Sequence, residues 1–187
     1  MGGEEFAARV ASSGTVLGLS AGVPTAEFDA ALAGIEYLEE PGTGRRKSSI
    51  LRRDYGLLEA TFRKDGADWR CDSIIVEFHR LLTDNKLTFE WEPIVGERFS
   101  TAPRWDVVEK ILTEVAPPES WVSGGCDNDF RLFGFPNSYV MAHVLVSDEE
   151  SLDPGDPDQL WSLEILSPSS WSSMWDARYR SSPAINV

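Results

Sequence analysis

Between Leu51 and Leu82 the chain alternates apolar and polar residues. Leu58, Ala60 and Phe62 hold one set of positions and Glu59, Thr61 and Arg63 the other, the pattern of a strand with one buried face. Lys64-Asp65-Gly66 suits a hairpin connection. The run Ile74 to Leu81, rich in β-branched and aromatic residues, predicts the returning arm, with Leu58, Phe62, Ile74, Val76 and Phe78 in the core. Leu87, Phe89 and Trp91 alternate with Thr88, Glu90 and Glu92 and predict a further strand. Further strands are expected at Ile35–Glu39, Phe130–Phe135, Ser138–Val146 and Leu160–Leu166.

Helical spacing appears elsewhere. Trp105, Val108, Leu112 and Val115 fall at i, i+3, i+7 and i+10 and predict a helix over Arg104–Val115, which the following Pro117-Pro118 cannot continue. Glu4–Ser12 predicts a short first helix ending near Gly14. Thr25–Ala33 predicts a second, with Thr25 as N-cap, Phe28 and Leu32 on one face and Gly34 as its stop. Pro41–Ser49 reads as a basic loop, Gly124–Asp129 as a turn and Asp148–Asp158 as an acidic, Pro/Gly-bearing loop. Trp171 and Trp175 lie four apart and can dock together if the tail is helical.

These elements predict an α+β fold, an antiparallel sheet or sheets with helices packed on one face. A helix followed by extended segments occurs twice. Two readings follow: tandem units over 1–100 and 101–187, or one continuous domain 1–187 with a single larger sheet. The layout after Gly22 resembles the tandem helix-plus-four-strand repeat of the β-lactamase inhibitory proteins and the related BamE-like fold. Locally, Leu51-Arg52-Arg53-Asp54-Tyr55-Gly56-Leu57-Leu58-Glu59 with His79-Arg80-Leu81 is similar to small actinobacterial proteins, some of them immunity-like partners of polymorphic toxins. Both resemblances imply binding rather than catalysis.

Charge adds the next constraint. The formal net charge is −14, which repels nucleic acid and anionic membranes and argues against both as partners. From Glu119 onward there are 11 acids against 3 bases. Such acidity serves solubility, or it steers a basic protein partner. No apolar run approaches the roughly 20 residues of a membrane span, and Met-Gly-Gly-Glu-Glu-Phe does not read as a signal peptide. Cys71 and Cys126 are too few for a disulfide framework, and two reduced thiols in a cytoplasmic protein are expected, with one bridge as the alternative. Seven tryptophans in 187 residues suit a core or an interface.

Catalytic signatures are not found. Only His79 and His143 could serve a hydrolase triad, both fall in strand patterns, and no Gly-x-Ser-x-Gly elbow is present. Cys126 follows Gly124-Gly125, but Asp127 and Asp129 oppose thiolate formation. Zinc-ligand spacing is lacking. Asp127-Asn128-Asp129 departs from the calcium-loop pattern at Arg131, and the acidic loop reads as solvated rather than calcium-bearing. No phosphate loop or dinucleotide fingerprint occurs. Asp54-Tyr55 beside Arg52 and Arg53 is either a partner anchor or a structural feature, with Gly56 as a bulge and Tyr55 on the core.

The expectation is an acidic cytoplasmic binding protein without cofactor or metal, of the immunity or inhibitor kind. Its expected landing site is Asp148, Glu149, Glu150, Asp153, Asp156 and Asp158, backed by Trp161. The alternatives are a non-catalytic assembly subunit and an enzyme with dispersed carboxylates.

Overall fold

The computed structural model describes residues 2–42, 49–99, 101–115, 117, 120–127, 129–146 and 156–176. Its centre is one antiparallel sheet of eight strands: β1 (Leu38–Pro41), β2 (Ile50–Asp54), β3 (Leu58–Asp65), β4 (Asp68–Val76), β5 (Val122–Asp127), β6 (Phe130–Phe135), β7 (Val140–Leu145) and β8 (Leu160–Leu166). The order is β1-β2-β3-β4-β8-β7-β6-β5. Two four-stranded meanders thus meet along their last strands, where Ser73 to Val76 of β4 pair with Leu166 to Leu163 of β8. The fold is α+β.

Alternation along the strands sorts residues onto two faces. On one face Leu58, Ala60, Phe62, Ile74, Val76, Phe133, Phe135, Val140, Ala142, Val144, Leu163 and Ile165 are buried in one core cluster. Helices α1 (Gly3–Ser13), α2 (Thr25–Ala31), α3 (Asn85–Val95) and α4 (Trp105–Val115) contribute their apolar sides to it. Phe28 of α2 meets Phe62 edge-on at 4.9 Å. Trp105 of α4 stacks on Phe133 at 4.4 Å. The N-cap of α2 is Pro24 rather than Thr25.

The opposite face is only partly covered. A short helix, α5 (Pro168–Trp171), continues into a wider turn through Asp176 and lies on this side, not with the other four. Trp171 and Trp175 stack at 5.2 Å over Leu132, Met141 and Leu166. Trp175 rests on Gly134, where a Cβ would fall within 2.6 Å of its ring. Asp72, extra in β4 at the β3–β4 register shift, anchors the helix: Ser167 and Ser170 hydroxyls donate to it at 3.0 and 3.1 Å, and Arg63 pairs with it at 2.6 Å. Burial opposes its charge, but these partners outweigh it and hold Asp72 below its ordinary carboxylate value.

Several sequence expectations are corrected. Leu87, Phe89 and Trp91 belong to helix α3, not a strand. The Asp84 carboxylate caps it by accepting from the Lys86 amide, and Leu87 and Trp91 are buried while Phe89 is 77% exposed. Leu87 and Trp91, four apart, share a helix face, so these two satisfy either period and only Phe89 distinguishes them. The second hairpin arm begins at Asp68 and ends at Val76, and Phe78–Leu82 is a 3₁₀ turn, so His79 is not in a strand. Gly124–Asp129 is not a turn, since β5 runs through Asp127; the register shift near Gly125, at φ +86°, explains the glycines. The first strand is Leu38–Pro41 rather than Ile35–Glu39. Gly56, at φ +88°, turns β2 into β3 instead of bulging a strand, and a side chain there would also strike Leu87.

Candidate functional site

The part of the second face that no described residue covers forms a cleft of about 370 Å³. Ile75 and Glu77 come from β4 and its end, Ser162 and Glu164 from β8, His143 from β7, Phe130 and Leu132 from β6, Asp127 from β5 and His79 from the 3₁₀ turn. Trp161 completes the wall. It stacks on His79 at 4.4 Å with planes 3° apart and faces Phe130 at 5.4 Å. The β7–β8 register sets His143 opposite Ser162, and its Nδ1 lies 3.1 Å from the serine Oγ. Burial holds the His143 imidazole below its ordinary value, against the nearby charges of Glu77 and Asp127.

Electrostatics distinguish this cleft from its neighbourhood. Beside it, Glu59 pairs with Arg52 at 2.6 Å and Arg80 at 3.3 Å, and Arg80 also meets Asp54 at 2.7 Å and the Gly56 carbonyl at 2.7 Å. Among the described residues the cleft is lined by Glu77, Asp127 and Glu164 and by no lysine or arginine. Burial, then the charges of Glu77, Asp72 and Glu59, push Glu164 up to about 7. His79 Nδ1 is shielded from solvent without a hydrogen-bonding partner, although Glu77 Oε2 lies 3.3 Å away; a separation without alignment is a weak contact.

Of the seven residues expected to form a landing site, Trp161 lies in this cleft. Asp148, Glu149, Glu150 and Asp153 lie outside the described residues. Asp156 is exposed. Asp158 pairs with Arg131 at 2.7 Å. The partner-anchor reading of Asp54-Tyr55 gives way to the structural one: Tyr55 is buried, and Arg53 is buried and held by Asp29 at 2.8 Å and Glu39 at 2.9 Å. Cys71 is buried and Cys126 exposed, both free thiols, and burial pushes the Cys71 thiol up. Sequence reasoning missed Glu77, Phe130, Ser162 and Glu164. The available signal was Glu164, a lone carboxylate within the apolar run Leu160–Leu166.

Comparison with family models, with curated proteins and with solved structures finds no match to this chain. Among the described residues no cluster of three or more His, Cys, Asp or Glu side chains is arranged to hold a metal ion, and no helix is long and apolar enough to cross a membrane. The cleft's chemistry is therefore read from its own groups. It is acidic, aromatic-walled and open on a sheet face.

Proposed function

We propose that this chain is a cytoplasmic, non-catalytic binding protein that neutralises a basic protein partner, of the toxin-immunity or inhibitor kind. The observation that carries the reading is the cleft, where the described residues supply three carboxylates, no cationic side chain and a half-buried Trp161. Acidic groups steer a basic partner to the face, and the indole supplies a desolvated contact. Asp156, exposed ahead of β8, acts in the approach, and Asp148, Glu149, Glu150 and Asp153 add to it through their charge in the sequence.

The test uses a candidate partner encoded beside this chain's gene, with association measured by surface plasmon resonance. Raising salt from about 50 to 500 mM shortens the Debye length about threefold and is expected to slow association. Trp161→Ala is expected chiefly to raise the off-rate. Association insensitive to salt, with Trp161→Ala silent, overturns the reading and favours an assembly subunit. One observation favours an acid–base enzyme with dispersed carboxylates instead: Glu164 titrates near neutrality beside the His143–Ser162 pair. Turnover of a hydrolysable substrate, lost in Glu164→Gln, would support that second reading.

A further inference from the structure

We infer that the cleft is a receptor for one cationic side chain, a lysine or arginine projecting from a protein partner, with Glu164 and Glu77 as its counter-ions. The inference rests on the binding-protein reading above and names the group that the site takes.

Two of the groups facing the cleft have no hydrogen-bond partner among the described residues. Among the described residues no hydrogen bond or ion pair reaches the Glu164 carboxylate, and His79 Nδ1 is a shielded nitrogen without a hydrogen-bond partner. Glu164 is partly exposed. The neighbouring acids are paired within the protein, Glu59 and Asp54 through arginines and Asp72 through Arg63, Ser167 and Ser170. What Glu164 lacks is a donor that carries positive charge. An ammonium or guanidinium supplies both, whereas an anion is repelled by the acidic cleft and a neutral group leaves Glu164 uncompensated.

Size and walls narrow the occupant further. At about 370 Å³ the cleft lies at the small end of ligand sites, which run from about 300 to 1,000 Å³. It accommodates a side chain rather than a folded segment. Phe130, Leu132, Ile75 and Trp161 offer apolar surface to the methylene stem of a lysine or arginine. The cleft is open along the sheet, so a free cation would keep much of its hydration there. A protein surface closing over Trp161 would remove it.

Docking a cation favours ionised Glu164 and so releases its proton near neutral pH. The charged and titratable groups around it are Glu59 from β3, Asp72 and Glu77 from β4 and its end, His79 and Arg80 from the 3₁₀ turn, Asp127 from β5 and His143 from β7. A proton on His143 also opposes a cation and works in the same direction. For Glu164 alone, the apparent affinity rises about tenfold between pH 6 and pH 8.

The experiment titrates the full ¹⁵N-labelled chain with methylguanidinium, n-butylammonium or neutral 1-butanol, reading the Trp161 indole N–H by NMR. The expected result is saturable binding of at least one cation centred on Trp161, about tenfold tighter at pH 8 than at pH 6, with the alcohol inert. Glu164→Gln is expected to weaken binding at pH 8 by tenfold or more and to flatten the pH dependence; Glu77→Gln is a second variant should the first perturb folding. No saturable shift below about 100 mM at pH 8, or equal binding of the alcohol, overturns the inference. The two readings fail separately. A basic partner that binds wild type and Glu164→Gln alike overturns the cleft as its receptor and leaves the binding-protein reading standing. A cleft that binds cations in a chain that the candidate partner does not engage overturns the side-chain receptor and the partner reading together, leaving a site for small cations.

Discussion

Glu164→Gln should make the free protein more stable at neutral and alkaline pH. The native carboxyl ionises near 7 rather than at its ordinary 4.5, because it is buried among the charges of Glu77, Asp72 and Glu59. A carboxylate whose folded-state pKa is raised contributes stability below the unfolded value and loses it as pH rises to the folded one. The window runs from about 4.5 to about 7. At about 1.4 kcal/mol per pH unit, the full loss is about 3 kcal/mol. Glutamine keeps the shape without the charge. Urea denaturation of both proteins should show Glu164→Gln more stable by about 3 kcal/mol at pH 8, about 2 at pH 6 and no more than about 0.5 at pH 4.5. Other titrating groups shift both proteins together, so the difference isolates Glu164. Equal stabilities at pH 8 would refute the reasoning and show that the carboxylate is already compensated.

Three further outcomes follow from the packing. Phe62→Ala, at a position with no exposed surface and an edge-on contact with Phe28, should cost about 3–5 kcal/mol by urea denaturation, whereas Phe89→Ala on the outer side of α3 should stay within about 0.5 kcal/mol; equal costs would contradict the α3 assignment. Gly134→Ala places a Cβ against the Trp175 ring and should cost about 1–3 kcal/mol, with red-shifted tryptophan emission and faster proteolysis near Ser167; unchanged emission would show that the tail does not rest there. Thiol titration without reductant should find Cys126 reacting in the native state and Cys71 only after unfolding; no free thiol in the denatured monomer would establish a bridge.

Local patterns were legible wherever one period alone fitted them. The stripe Trp105–Val108–Leu112 admitted only a helix, and Leu58–Ala60–Phe62 with Gly66 beyond admitted only a strand and hairpin. Leu87 and Trp91 fitted both periods, and the decision lay in the Asp84 cap and in which residues found a core. Phe78 continued the alternation of β4 but left the sheet, because its burial comes from Phe6 across the core, a contact that no local window contains. The cleft was the least legible part. His79, Asp127, His143 and Glu164 are dispersed over 86 residues, and only the pairing of β4 with β8 and the β5–β6–β7 meander brings them onto one face. The long-range register decides the site.

That seam between β4 and β8 also sets an order of events during synthesis. More than eighty residues separate Val76 from Leu160, so at ribosomal rates of about 5–20 residues per second β4 emerges roughly 4–17 seconds before its partner. Through that interval the β1–β4 meander carries an open edge of hydrogen-bonding groups, the kind of edge that recruits stray strands. β4 is furnished against it: Asp68, Arg70 and Asp72 put charge along the early half, and the irregularity at Asp72 bends the strand just before the stretch that β8 will claim. Only Ser73 to Val76 remain as a regular template. The newborn chain therefore keeps a short waiting edge, and the sheet is closed in its middle by the last strand to arrive.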